Sequence, residues 1–193
     1  ERTQEFKKFG GPIQLASNAV QGFRDVDEEL YKESESDATW TGNRTNGIKD
    51  GIRDEWYAKF DLKTPAADRE MPFTCVVDRP DLQKCLMKRV GENVVNSAGV
   101  ASYEKRADGG VTAVRDDGRH VHGDVLVGAD GIWSKVRATM NDADTRDGSA
   151  YSGYTVFAGE LTYASPDNGE IGYKVYIGPN QYFVITDIGN GRY

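Results

Sequence analysis

The chain has 193 residues, with 24 Lys and Arg against 31 Asp and Glu, a net charge of −7. It is long enough for one large domain or one and a half small ones, and for a real core. The acidic balance argues against a nucleic-acid binder, which needs basic patches, and no run approaches the roughly 20 apolar residues of a membrane span.

Cys75 and Cys85 lack CxxC spacing, which predicts two free thiols in a reducing compartment. No signal or transit peptide is visible. The chain opens on Glu1-Arg2 without Met and stops at Arg192-Tyr193 just after a predicted strand. It therefore reads as an internal fragment, and its lack of a targeting segment says nothing about the parent protein.

Residues 1–8 are polar and read as a connection, followed by a Gly10-Gly11-Pro12 turn. Ile13 to Val26 carries a helical pattern with Ser17 as N-cap, and Asp27-Glu28-Glu29 opens a second helix with acid in its first turn. The acidic run 25–37 reads as a solvated face or loop. Thr39-Trp40, Ile48 and Trp56 to Phe60 suggest short strands split by Asn-Gly and Asp-Gly turns, and Pro65 and Pro72 bracket a loop. Thr74 to Val77 is a further strand. Pro80 then opens the clearest helix, with Leu82, Cys85 and Leu86 as its apolar stripe and Gly91 as its end. A β-meander follows: Val94-Val95, Gly99 to Arg106, Val111 to Arg115 and Arg119 to His122, with Asp-Gly turns between the last three. Near the end, Tyr154 to Phe157, Tyr173 to Ile177 and Tyr182 to Ile185 read as strands, the last two joined by Gly178-Pro179-Asn180.

The meander runs into the stretch that organises the chain, Asp124 to Arg137. Val125, Leu126 and Val127 form a short apolar run, the pattern of a buried parallel strand. Gly128 and Gly131 bracket a turn where the backbone bends sharply or approaches something closely. Ser134 can cap a following helix. A strand ending at a glycine turn and a helix N-terminus is where open α/β sheets bind anionic ligands.

This stretch resembles the second flavin-site motif of the single-component flavoprotein monooxygenases, matching it at Gly128, Ala129, Asp130, Gly131, Ser134, Val136 and Arg137. Gly11 to Ala19, Thr41 to Gly47, Phe60 to Ala67, Tyr151 to Thr155 and Gln181 to Val184 are similar to the xanthophyll-epoxidising plastid branch of that family. The resemblance implies an α/β fold: a partial FAD-binding Rossmann-like domain with a β-meander, interleaved with a mostly antiparallel substrate-domain sheet. The expected segments are 1–36 and 74–150 for the FAD domain and 37–73 and 151–193 for the substrate sheet. It implies FAD as cofactor, NAD(P)H as reductant through an electron donor system, a xanthophyll substrate, a plastid location and possible peripheral membrane association. Oxygen transfer itself requires no acid–base pair, so no catalytic side chain is expected.

By the same resemblance, Asp130 with Gly128, Ala129 and Gly131 lies close to the flavin pyrophosphate. Arg79 matches an arginine that helps hold the cofactor, and Glu1 the acid that accepts hydrogen bonds from the adenosine ribose. The family's glycine loop and its Gly-Asp motif fall outside this sequence, so the chain alone is expected to hold FAD poorly. At Gly10 the sequence departs from plant relatives, where an arginine is expected. An aromatic-ring hydroxylase of the same fold and a non-catalytic flavin-fold module are the alternatives.

Other candidates are set aside. His120 and His122 share a strand face but have no third ligand at metal spacing. Asp142 to Gly148 hints at a calcium loop, but Arg146 takes a ligand position and Asp147 the place of the turn glycine. Asn43-Arg44-Thr45 is a glycosylation triplet without a secretory signal. Tyr154, Tyr173, Tyr176, Tyr182 and Phe183 could face a long apolar substrate, but by alternation half must face elsewhere.

Overall fold

The computed structural model describes residues 1–4, 11–146, 148–167 and 169–193. In chain order the elements are β1 (Pro12–Leu15), α1 (Ser17–Val26), α2 (Glu28–Ser36), β2 (Thr39–Trp40), β3 (Thr45–Asp50), β4 (Trp56–Phe60), α3 (Lys63–Ala67) and β5 (Cys75–Asp78). Then come α4 (Arg79–Val90), β6 (Val100–Lys105), β7 (Val111–Arg115), β8 (His120–Gly123), α5 (Lys135–Met140), β9 (Ile171–Gly178) and β10 (Gln181–Thr186). This is the mixed α/β architecture expected. Contacts group the chain into two compact units, Glu1–Lys7 with Gly91–Val156, and Lys8–Val90 with Phe157–Tyr193.

The grouping differs from the four segments expected above, because the first helices belong with the later sheet. The joints are visible in the second unit. Thr41 and Gly42 donate their backbone N–H groups to Thr74 O at 3.1 and 2.8 Å. Arg192 donates to Asp78 at 2.6 Å and to Glu160 at 3.0 Å.

In that unit β5 lies between β1 and β2, antiparallel to both. Its Cys75, Val76 and Val77 are buried, and Val20, Tyr31, Trp40 and Leu82 pack around this core. Both cysteines are free, as read from their spacing, and burial pushes the Cys75 thiol up to about 11. Asp27 caps α2 by accepting from Glu29 N and Leu30 N. The acidic run is helical rather than loop, and part of it is paired: Arg89 of α4 reaches Asp27 at 3.0 Å and Glu33 at 3.2 Å.

The second sheet of this unit has the order β10-β9-β3-β4, with β3 and β9 parallel and the other pairs antiparallel. Its centre is polar. Asn46 is fully buried; its amide donates to Thr41 O and Arg44 O, and its carbonyl accepts from Tyr173 N at 3.0 Å. Three expectations change here. Asn46-Gly47 is strand, not turn, because the Asn side chain bonds across the sheet and a Cβ on Gly47 would meet Ala58 O at 2.2 Å. Pro65 lies inside α3, in the first turn, where its missing N–H costs nothing. Ile13 to Leu15 is β1, because it pairs with β5, so Ala16 rather than Ser17 stands at the N-cap of α1.

The first unit holds the last three strands of the expected meander, an antiparallel sheet ordered β6-β7-β8 with α5 against β6. Three predicted strands are not formed. Val94-Val95, expected to open the meander, is irregular, with Val95 55% exposed. Val125 to Val127 is irregular, with Val125 and Val127 each 80% exposed. Tyr154 to Phe157 is likewise irregular, and Phe157 is 92% exposed. A strand exists only through hydrogen bonds to a neighbour, and among the described residues none of these runs is paired in a sheet.

Candidate functional site

The chain between β8 and α5 is shaped by short-range polar contacts. Gly131 has φ +83°, a left-handed conformation that L side chains rarely adopt. Gly128 lies against α5, where an added Cβ would meet Val136 Cβ and Cγ1 at 2.9 Å. Ser134 caps α5 as predicted: its buried Oγ accepts from Arg137 N at 3.0 Å.

Asp130 closes the loop. One carboxylate oxygen accepts from the Ser134 hydroxyl at 2.5 Å; the other accepts from Lys135 N at 2.6 Å and Val136 N at 3.2 Å. Partial withdrawal from water raises its pKa, but these donors outweigh that and hold the carboxyl below the usual carboxylate range. The side chain therefore occupies the end of α5 that the strand–turn–helix pattern offers to an anion. Arg137 completes the corner by donating to Ile132 O at 2.7 Å.

This loop forms one side of a cleft of about 690 Å³ in the first unit. Glu1, Gly128, Ala129, Asp130 and Gly131 all border it, so five of the six predicted site residues come together. Glu1 is held by backbone: its carbonyl accepts from Ala98 N at 2.8 Å, and its carboxylate accepts from Thr3 N at 2.7 Å. Hydrogen bonding by the Thr3 side chain, and then by its backbone N–H, lowers the Glu1 pKa. Arg79 is placed elsewhere. It is the first, exposed residue of α4 in the second unit and does not border the cleft.

Sequence reasoning missed Arg2, Asp116, Trp133 and Thr145 in the cleft wall. Trp133 was legible, since it lies inside the quoted motif. Asp116 was not: its carboxylate closes on Gly99, where an added Cβ would meet Asp116 Oδ2 at 2.1 Å, and only the fold of the meander brings the two together. His120 and His122 are exposed, and His122 Nδ1 bonds Thr112 Oγ1 at 2.9 Å. The described residues contain no group of three metal-ligating side chains. Gly10 and Asp147 lie outside the described residues.

A glycine-walled cleft of this volume, bordered by both cations and carboxylates, suits an elongated ligand carrying phosphate and hydroxyl groups. The FAD binding domain family matches residues 23–171. The chain belongs to that family. Similar curated proteins are the chloroplastic zeaxanthin epoxidases of Arabidopsis thaliana, 44% identical over 96% of this chain and 27% of that protein, and of Oryza sativa subsp. japonica, 42% identical over 96% and 28%. The chain thus spans little more than a quarter of these relatives. Among solved structures, HpxO of Klebsiella pneumoniae complexed with FAD and uric acid superposes with TM-score 0.70 at 22% identity, covering 96% of this chain and 46% of that one. At that identity the likeness is one of fold.

The cleft fits the family's cofactor on its own geometry. Gly131, where an added Cβ would meet nothing within 4 Å, puts no side chain between backbone and ligand, Arg2 and Lys135 supply cations, and Glu1 supplies an acceptor for a hydroxyl.

Proposed function

We propose that this chain is part of an FAD-dependent monooxygenase that epoxidises a xanthophyll, converting zeaxanthin to antheraxanthin and violaxanthin with O2 and NAD(P)H. The observation that carries the reading is the 44% identity to a zeaxanthin epoxidase across 96% of the chain. Bound FAD supplies the oxygen-transfer chemistry. The chain's residues bind and orient it. Backbone at Gly128 to Gly131 forms one wall of the site. Asp130 fixes that wall, and because it already caps α5, the pyrophosphate is met by backbone and by Arg2 and Lys135 rather than by the helix end. Glu1, with one carboxylate oxygen engaged by Thr3, offers the other to a ribose hydroxyl. Arg79 stays a proposed cofactor residue by resemblance alone. A plastid location, a separate electron donor system and peripheral membrane association belong to the same proposal.

The test supplies the full-length protein with FAD, a reductant and zeaxanthin, and follows products by chromatography. The expected products are the mono- and di-epoxides. Turnover of a small phenol with no carotenoid product would replace this reading with an aromatic-ring hydroxylase.

A further inference from the structure

The stretch that fails as a calcium loop has a different place in the structure. Residues 141–146 fold back onto the end of α5. Ala143 N donates to Ala138 O at 3.0 Å, and the Asn141 amide donates to Arg137 O at 2.8 Å. Arg146 N donates to Asp144 Oδ1 at 2.9 Å, and Ser149 Oγ donates to Arg146 O at 2.7 Å. So pinned, the Arg146 guanidinium lies 5.3 Å from the centroid of the Trp133 ring. Trp133 borders the cleft together with Thr145 from the same loop, and it is 47% exposed.

We infer that Trp133, backed by Arg146, is a stacking wall for a planar heteroaromatic ring of the cofactor. This rests on the reading of the cleft as the FAD site. The indole offers the largest π-surface of any side chain, and a large exposed one is ordinarily a cost in water. Here it stands two residues past Gly131, in a loop fixed by Asp130, with a guanidinium against its ring. The cation–π contact immobilises the indole before ligand arrives, so little side-chain entropy remains to be lost on stacking. Trp133 itself borders the cleft. FAD carries two rings of the required kind, adenine and isoalloxazine.

The test measures FAD affinity of the full-length protein by flavin fluorescence titration and calorimetry, with thermal melts as a folding control. Trp133→Leu should weaken binding about tenfold, and Trp133→Phe, which keeps an aromatic face, about threefold or less. Arg146→Gln should fall between wild type and Trp133→Leu. Parallel titrations with ADP and with FMN identify the ring: the fragment that loses the same factor in Trp133→Leu is the one that stacks. Equal FAD affinity in wild type and Trp133→Leu overturns the stack while leaving the site intact. A wild type that retains no FAD overturns the site and the stack together. Because the indole is half exposed, the leucine variant should fold. If it does not, an Arg146→Gln protein with wild-type affinity overturns the clamp.

Discussion

Two short apolar runs in this chain carry nearly the same signal and meet opposite fates. Cys75-Val76-Val77 precedes an acid and then a helix, and so does Val125-Leu126-Val127, at slightly greater distance. The first is β5, with Cys75, Val76 and Val77 at 2%, 3% and 3% exposure. The second is irregular, with both valines 80% exposed. The difference is not hydrophobicity. β5 has β1 on one side and β2 on the other, so its backbone groups are satisfied and its side chains are covered by α1, α2 and α4 residues. Residues 125–127 have no sheet partner among the described residues. An apolar run proposes burial, and only a partner elsewhere in the chain makes it a strand.

The largest effect that would sharpen this contrast is a charge placed in β5. Val77→Asp should cost about 4 kcal/mol or more, because a carboxylate at 3% exposure has neither water nor a partner. Urea unfolding should show the loss of the whole second unit. A melt unchanged within error would mean β5 is not the centre of its sheet.

Next in size is a test of close backbone approach. In the mixed sheet, Gly47→Ala should cost about 1–3 kcal/mol, since the new methyl would meet the Ala58 carbonyl oxygen at 2.2 Å and the strands must part. A wild-type melting temperature in this variant would show that β3 and β4 are spaced more widely than they are described here.

These cases also show what was legible in advance. The meander was readable because its cues are local: Asp-Gly turns between alternating strands fix β6, β7 and β8 without help from distant residues. The corner at Gly128 to Ser134 and its Ser134 cap were readable for the same reason, whereas the closure of Asp130 onto Ser134 and the start of α5 was not read. Asn46-Gly47 misled because the dipeptide is a turn signal in isolation, while its role here depends on Tyr173, 127 residues away. Ile13 to Leu15 misled because a four-residue strand beside a helix adds to the helical pattern, and only β5 separates them. Arg79 shows the limit of resemblance: its position at a helix start was correct, but it does not border the cleft.

A smaller effect is expected at the loop that follows the unpaired run. Asp130→Ala removes three accepted hydrogen bonds from a partly exposed carboxylate, at a cost of about 1 kcal/mol, the size of a lost helix cap. Asp130→Asn keeps one acceptor oxygen and should lose less. The pH dependence has a definite sign. The folded pKa of Asp130 is depressed, so its contribution is complete above the unfolded value of about 3.9 and is lost as pH falls through the folded value. Wild type should therefore lose stability relative to Asp130→Ala below about pH 4. A difference between the two that stays constant from pH 7 to pH 2 would show that the carboxylate charge plays no part in closing the loop.

The smallest effect is the sharpest test of the comparison. Val127→Asp, the counterpart of the β5 substitution, should change the stability of the 193-residue chain by less than about 0.5 kcal/mol. A side chain 80% exposed already sits in water, and a carboxylate there loses no hydration on folding. The backbone of 125–127 should exchange its amide hydrogens quickly for the same reason, while the amides of β5 exchange at rates set by unfolding of their unit. The substitution discriminates because its outcome depends on pairing alone. Given a neighbouring strand, from another segment or another molecule, the same residue would be buried, and the cost of the aspartate would approach that at Val77. A penalty above about 2 kcal/mol, with slow exchange at 125–127, would thus show that the run is a paired strand in solution. A near-zero penalty with fast exchange would leave it as it stands here, an apolar segment whose fold depends on a partner.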